Sequence, residues 1–225
     1  MTLLQLNVDR GFYQFVKTAV GVKTLILCEG RSDVEIVKEL TKGLGLKIRE
    51  VGILDCGGID RLRDICPCIV ALVTVSRSVD TIAVIVDSNK MEKCQRGRGL
   101  YDSLCAHLGG NAQLNELQEL EEGLYQTKVR FDRKSVIIYI CVVGDFKKPL
   151  NSFKTHEIED HVVRLLLLKG RRVEIGSFNT AKAVLEVHGI DALEEIRVSD
   201  PEDLRRAFGP LATLLGILSP SSSSP

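Results

Sequence analysis

The chain has 225 residues, of which 44% are hydrophobic and 27% are charged, so it is long enough to bury a substantial core. Its 30 basic and 30 acidic residues cancel, which excludes attraction to nucleic acid or an anionic membrane by net charge alone. An odd count of 7 cysteines, several within apolar segments, favours buried thiols in a reducing compartment over a disulfide framework. Residues 1–10 lack a signal-peptide pattern and the apolar runs are too short to span a bilayer, so we expect a cytoplasmic protein without membrane contact.

The predicted elements begin with a helix over residues 9–20, where apolar side chains recur at helical spacing. Residues 24–28 form a continuous apolar run, which is typical of a strand buried on both faces of a parallel sheet. Ser32 and Glu35 then predict a capping box for a helix that ends near Gly43. The next predicted elements are a strand over 51–54, helical material over 59–78, a strand over 81–86, helices over 99–108 and 112–122, and strands over 128–131 and 136–143.

The C-terminal part of the chain is predicted to be helical from Thr155 to Gly170 and again over 179–188 and 200–208. The last helix is expected to use Asp200 as its cap and Pro201 in its first turn. The predicted organisation is an α/β domain over residues 1–170 with its core at about 22–165, a helical extension over 171–218 packed on it, and a disordered Ser/Pro tail over 219–225.

This alternation predicts an α/β fold with a mostly parallel central sheet, helices on both faces and a C-terminal helical extension. Right-handed crossovers place the carboxyl ends of parallel strands at one edge, where such sheets bind ligands. An acidic residue follows the last apolar residues of each of four predicted strands: Glu29, Asp55, Asp87 and Asp145.

Clustered carboxylates at one edge need a cation, a shared proton or a basic partner. Two of them about 4 Å apart repel by up to about 4 kcal/mol at an effective dielectric near 20. Mg²⁺ matches such a cluster because it takes one or two carboxylates, retains water and accepts phosphate oxygens. The pattern therefore predicts a divalent metal held against phosphate.

Two motifs carry a family resemblance. The first is Leu27-Cys28-Glu29-Gly30-Arg31-Ser32-Asp33 and the second is Val84-Ile85-Val86-Asp87-Ser88-Asn89, with the pair Gly57-Gly58 between them. A strand followed by Glu-Gly-x-x-Asp, a Gly-Gly turn, and a later strand followed by Asp-x-Asp resembles the Toprim domain over roughly residues 22–165. That family includes topoisomerases, bacterial-type primases, ribosomal-RNA maturases and the overcoming-lysogeny-defect nucleases.

The resemblance implies a role for each matching position. Glu29 matches the glutamate that serves as general acid/base or metal ligand, and Asp87 matches the first aspartate of Asp-x-Asp, a magnesium ligand. Asn89 stands where the second aspartate is expected, so it offers a carbonyl oxygen without charge. The compensating ligands would come from the first motif or from an acidic helix start, which resembles one found in small standalone members: Asp33, Glu159 and Asp160.

Structural explanations compete with these roles. Glu29 and Asp87 would also suit strand-end residues bonded to helix N-termini, and Asp33 would suit a first-turn residue that complements a helix dipole. Glu157, Glu159 and Asp160 would equally suit a helix start. Asp55 and Asp145 are expected to be polar loop residues.

A polar loop after the third strand carries the basic residues Lys90, Lys93, Arg96 and Arg98. Beside a metal edge it would hold a nucleic-acid backbone, whose charge dominates such affinity. Solvated surface charge is the competing explanation.

The leading hypothesis is a Toprim-like protein that uses Mg²⁺ or Mn²⁺ to cleave or rearrange nucleic-acid phosphodiester bonds, most simply as a nuclease. A second hypothesis is a non-catalytic Toprim-like module that binds nucleic acid or nucleotide, which Asn89 favours. A third is an interaction protein whose acidic edge is incidental. The sequence does not predict the oligomeric state.

Overall fold

A computed structural model describes residues 4–7, 21–48, 50–58, 78–108, 112–131 and 134–219. The predicted helix over 9–20, the helical material predicted over 59–77 and residues 220–225 of the predicted tail lie outside these ranges.

The described strands form one sheet of 8 strands in the order β1-β3-β2-β4-β8-β7-β5, with β6 paired to β7. Their bounds are β1 Leu4–Asn7, β2 Thr24–Cys28, β3 Val51–Asp55, β4 Thr81–Asp87, β5 Ala112–Leu114, β6 Gln118–Glu121, β7 Leu124–Phe131 and β8 Lys134–Val143.

Pairing is parallel from β1 through β3, β2 and β4 to β8, and antiparallel where β7 joins β8 and where β5 and β6 join β7. The described helices are α1 Arg31–Gly43, α2 Lys93–Leu108, α3 Glu159–Leu168, α4 Ala181–Val187, α5 Ala192–Arg197 and α6 Pro201–Leu218, with a short 3₁₀ helix at Leu150–Ser152. The predicted α/β fold with a mostly parallel sheet and C-terminal helices is thereby confirmed. None of the described helices is both long and apolar enough to cross a bilayer.

Apolar side chains on both faces of the sheet are buried, which explains the uninterrupted apolar runs of its central strands. Along β2, Ile26 and Cys28 belong to a core cluster that also contains side chains of α1, α3 and α6. Leu25 and Leu27 point into the second cluster, with Leu104 of α2. The C-terminal helices therefore share the first core with the sheet.

Helix α6 begins as the sequence indicates, with Asp200 at the cap and Pro201 in the first turn. Gly209 interrupts it with φ of 32° and is followed by Pro210, so the helix kinks there. The helix extends to Leu218, ten residues beyond the predicted end at 208.

Three predictions about local structure were wrong. Residues 112–122 contain strands β5 and β6 instead of a helix, because both pair with β7 in antiparallel register. Helix α1 begins at Arg31 with Gly30 as its cap, so Ser32 lies inside the first turn and Asp33 accepts the capping hydrogen bond from the Gly30 N–H at 2.8 Å. Helix α2 begins at Lys93, well before the predicted 99, which places most of the predicted basic loop on a helix.

Candidate functional site

The carboxyl ends of β2 and β4 meet at one edge of the sheet. These strands are parallel neighbours in which Cys28 aligns with Ile85. The Glu29 N–H continues that pairing by donating to the Ile85 carbonyl at 3.1 Å. The Glu29 carboxylate then accepts a hydrogen bond from the Asp87 N–H through Oε2 at 3.2 Å, although the two residues are 58 positions apart.

Helices α1 and α3 bring further carboxylates to this edge. Asp33, in the first turn of α1, is only 3% exposed and its Oδ2 is held by the Gly30 N–H. The Ile158 N–H, at the start of α3, donates to Asp87 Oδ1 at 2.9 Å. This bond fixes the beginning of α3 beside β4, and with it the neighbouring residues Glu157 and Glu159.

Burial raises the pKa values of four acidic residues at this edge, and neighbouring carboxylates add to the effect. Burial raises the pKa of Asp33 to about 7, and the charges of Glu159 and Glu29 add to the effect. Burial also raises the pKa of Asp87 well above its ordinary value, with further repulsion from Asp33, Glu29, Glu159 and Glu157. The Glu157 and Glu159 pKa values are raised as well, again mainly by burial. We call Glu29, Asp33, Asp87, Glu157 and Glu159 the acidic cluster.

Arg96 is the arginine that contacts this cluster. Its Nη2 lies 3.6 Å from Glu29 Oε2, and its Nε donates to the Asp87 carbonyl at 3.1 Å. Arg96 Nη2 is buried and has no hydrogen-bond partner within the described part of the chain. A second cation, Lys182, acts to lower the pKa of Glu157 and Glu159. The Arg96 charge is thus inside the cluster and not on a surface loop.

The other basic residues predicted to bind nucleic acid occupy different environments. Lys90 and Arg98 are exposed, whereas Lys93 is half-buried. A Cβ at Gly123 would lie 2.8 Å from the Lys93 Cδ, so the Lys93 stem packs closely over that turn. The structure therefore places Lys90 and Arg98 at the surface and separates them from Arg96.

Asn89 and Asp160 are held by contacts of their own. Asn89 has φ of 56°, a conformation in which asparagine is among the favoured non-glycine residues, and its backbone pairs with that of His156. The fully buried Asp160 accepts hydrogen bonds through Oδ2 from the Asp145 N–H at 3.0 Å and from His156 Nδ1 at 2.8 Å. The predicted ligand set is thereby divided between the acidic cluster and a neighbouring group.

That neighbouring group, which we call the buried polar network, consists of Asp145, His156, Asp160, His161 and Arg164. Asp145 accepts from Arg164 Nε at 2.6 Å, and the remaining guanidinium nitrogens donate to the carbonyls of Lys147 and Lys148. His161 Nε2 accepts from the Gly144 N–H, so Nδ1 carries the proton that is donated to the Ala207 carbonyl. Burial lowers the His161 pKa, in agreement with a neutral ring.

Sequence reasoning did not assign a role to Arg164, His156 or His161. His156 precedes α3 and its backbone pairs with Asn89, so its contact with Asp160 is not the four-residue contact of one helix face. Arg164 also follows Asp160 by four residues, yet it pairs with Asp145 on the loop after β8. That choice of partner depends on tertiary structure.

The donor chemistry of the acidic cluster fits a hard divalent cation. Its side chains offer only oxygen ligands, which suit Mg²⁺ or Mn²⁺ better than the softer transition metals. Within the described ranges, no three His, Cys, Asp or Glu side chains are already placed to coordinate one ion together.

Comparisons with protein-family models, with curated proteins and with solved structures found no match to this chain. The Toprim resemblance accordingly rests on the two motifs and on the strands that carry them.

Proposed function

We propose that the acidic cluster binds Mg²⁺ or Mn²⁺ and that the protein cleaves nucleic-acid phosphodiester bonds. The observation that carries this proposal is the contact between Glu29 and the end of β4 at Asp87, surrounded by carboxylates with raised pKa values. Buried carboxylates that repel one another are stabilised when a cation joins them. An arrangement of this kind is costly to keep as a purely structural feature.

The carboxylate ligands proposed for the ion come from two elements, strand β4 and helix α3. Asp87 uses Oδ1 to hold α3, which leaves its other carboxylate oxygen for an ion, and Glu159 reaches the same region from the first turn of α3. Asp33 is engaged at both oxygens, by the Gly30 N–H and by the Ser32 hydroxyl, so it contributes charge to the site. When bound, such an ion polarises phosphate oxygens and lowers the pKa of a coordinated water.

Glu29 and Arg96 are assigned the remaining tasks. Glu29, which the Toprim resemblance identifies with the general acid/base, is held by the Asp87 N–H with its carboxylate beside the cluster. Arg96, whose Nη2 is buried beside Glu29 and whose Nε donates to the Asp87 carbonyl, is assigned to position Glu29 and the end of β4. The surface residues Lys90 and Arg98 would hold the phosphate backbone farther away.

A non-catalytic Toprim-like module that binds nucleic acid or nucleotide is the alternative, and two observations favour it. Asn89 replaces a carboxylate of the Asp-x-Asp pattern, and the nearby Asp160 is committed to His156 and Asp145. The site would then bind a cation more weakly and hold phosphate without cleaving it. Both functions fit a cytoplasmic location, with which the buried free thiols Cys28, Cys56 and Cys141 agree.

A cleavage assay separates these functions. Single- and double-stranded DNA and RNA are incubated with Mn²⁺ and either the wild type, Glu29→Gln or the control Asp55→Asn, a strand-end carboxylate outside the cluster that accepts from the Gly57 N–H. We expect cleavage by the wild type and the control, and loss of at least a hundredfold in Glu29→Gln. Binding without cleavage would favour the non-catalytic module. Equal cleavage by Glu29→Gln would contradict the assigned role of Glu29.

A further inference from the structure

A cavity of about 390 Å³ lies between helix α2 and strands β6 and β7. Its volume is within the range of small-ligand pockets, which begins at about 300 Å³. Cys94, Arg98 and Tyr101 line it from α2 at positions that share one helix face. Arg96 lies about 200° around the helix from Cys94 and turns toward the acidic cluster, so α2 separates the cavity from that cluster.

Tyr125 of β7 lines the cavity with an unsatisfied hydroxyl. The residue is 4% exposed, and its buried hydroxyl has no hydrogen-bond partner among the described residues. A Cβ at Gly97 would lie 2.7 Å from the Tyr125 ring, so the helix packs tightly against the ring. Burial raises the pKa of Tyr125 to about 12 and the nearby Glu119 carboxylate adds to the effect, so the hydroxyl remains a hydrogen-bond donor at neutral pH. A buried donor without a well-aligned acceptor is destabilising unless a ligand or water accepts from it.

The remaining lining supplies a flat apolar wall and an acidic rim. The Tyr101 hydroxyl donates to the Asn115 carbonyl at 3.0 Å, which orients its ring, and Leu117 lies beside it in the lining. The exposed rim contains three acidic residues, Asp102, Glu116 and Glu119, and one basic residue, Arg98. Such a rim repels a phosphate group and accepts hydrogen bonds from N–H donors.

We propose that this cavity is a nucleobase pocket for the strand whose phosphate lies at the acidic cluster. A nucleobase is flat enough to stack on Tyr101, carries ring or carbonyl acceptors for the Tyr125 hydroxyl, and presents N–H groups to the rim carboxylates. An ammonium ion, such as a lysine side chain, would suit the acidic rim but offers no acceptor to Tyr125. This inference rests on the proposed function, because it assigns the pocket to the same substrate.

One bound strand can reach both sites, because helix α2 lies between them. An α-helix with its side chains is about 10–12 Å across, and consecutive nucleotides of one strand are spaced by at least about 3.4 Å. A strand crossing the N-terminal part of α2 therefore reaches from the cluster to the pocket within a few nucleotides. Arg98, on the pocket side, is placed to contact the backbone between them.

The test is fluorescence anisotropy with a labelled short single-stranded oligonucleotide, in Ca²⁺ so that binding is measured without cleavage. Tyr101→Leu is expected to weaken affinity about tenfold by removing the stacking surface, and Tyr125→Phe about threefold by removing one hydrogen bond. Tyr139→Phe is the matched control, because Tyr139 is a buried sheet tyrosine in the other core cluster. A series of oligonucleotides, each lacking the base at one position, tests the pocket further. One member should bind the wild type about tenfold more weakly than the intact oligonucleotide does. The same member should bind Tyr101→Leu as tightly as the intact oligonucleotide does.

Two results would overturn the pocket assignment while leaving the proposed function intact. One is oligonucleotide affinity that is equal in Tyr101→Leu, Tyr125→Phe and the control, together with cleavage that still requires Glu29. The other is competition by lysine methyl ester but not by adenosine, cytidine, guanosine or uridine. Failure of the wild type to bind any oligonucleotide would instead contradict the proposed function, and the pocket assignment with it.

Discussion

The acidic cluster and the buried polar network lie at the same edge of the sheet. The pKa values of Asp33 and Asp87 in the cluster and of Asp145 in the network are nevertheless shifted in opposite directions. In the network, burial alone would raise the pKa of Asp145, but hydrogen bonds from Arg164 and from the Lys147 N–H hold it below the ordinary value. In the cluster, burial and neighbouring carboxylates raise the pKa values of Asp33 and Asp87. Both groups follow strand ends, so position in the fold does not explain the difference.

The number and kind of partners explain it. Asp145 has a guanidinium at 2.6 Å whose other nitrogens also donate to nearby carbonyls, so its charge is matched locally. In the cluster, Arg96 lies 3.6 Å from the Glu29 carboxylate, too far for a hydrogen bond, and the neighbouring carboxylates raise one another's pKa values. The Asp145 charge is therefore neutralised by its partners, although the second oxygen of Asp160 in the same network is buried without a hydrogen-bond partner in the described chain.

Breaking the network should have the largest effect on stability. Arg164→Met leaves Asp145 buried without its counter-charge and removes donors to the Lys147 and Lys148 carbonyls. We expect the free energy of unfolding to fall by about 3 kcal/mol, as for other broken buried ion pairs. Chemical denaturation measures it. The control Arg206→Met removes an exposed pair with Asp203 and should cost less than about 1 kcal/mol, so equal losses would contradict the distinction.

Neutralising the cluster should have the reverse effect in metal-free protein. Asp87→Asn keeps an oxygen for the Ile158 N–H and removes one repelling charge, so we expect it to be at least as stable as the wild type. Mn²⁺ at a hundred times its dissociation constant should stabilise the wild type by about 2.7 kcal/mol and Asp87→Asn much less. Thermal unfolding with and without Mn²⁺ measures both, with Asp55→Asn as the control. An undiminished Mn²⁺ effect in Asp87→Asn would argue against the cluster as the site.

The two regions should also respond oppositely to pH. Asp33 has a pKa raised from 3.8 to about 7, so the unfolded chain ionises first and the free energy of unfolding falls as pH rises between these values. We expect this pH dependence to disappear in Asp33→Asn. Asp145, whose pKa is lowered, stabilises the fold above its ordinary pKa and loses this contribution in more acidic solution. Urea denaturation at a series of pH values tests this, and a parallel pH profile for Asp33→Asn and wild type would contradict it.

Adding a carboxylate should have the smallest effect on stability. Asn89→Asp restores the Asp-x-Asp pattern, and aspartate tolerates the left-handed backbone found there. The added charge should lower the metal-free stability by about 0.5 kcal/mol and strengthen Mn²⁺ binding several-fold. Calorimetric titration of both proteins measures the affinity. Unchanged affinity would mean that position 89 does not face the ion.

Much of the architecture was predictable because it follows from local patterns. The uninterrupted apolar runs of β2 and β4 indicated strands buried on both faces, and their parallel pairing is confirmed. The rule that parallel strands end at one edge was enough to bring Glu29 and Asp87 together across 58 positions. The polar segment over 112–122 was misassigned because its strands depend on pairing with β7 rather than on their own sequence.

The partners of individual charges were not predictable. Glu159 and Asp160 are adjacent, but their side chains lie about 100° apart around α3, and only the fold decides that Asp160 meets His156 and Asp145. Arg96 turns inward because α2 begins at Lys93, a boundary that the basic residues around it concealed. Charge patterns in a sequence locate a site, whereas tertiary contacts decide which charges are matched.

The most direct measurement is an anomalous diffraction map of crystals grown with Mn²⁺. We expect one peak at the acidic cluster, with oxygens of Asp87 and of Glu29 or Glu159 about 2.1 Å away and water in the remaining positions. A peak only elsewhere, or no peak while Glu29 keeps its contacts with Arg96 and the Asp87 N–H, would contradict the metal site.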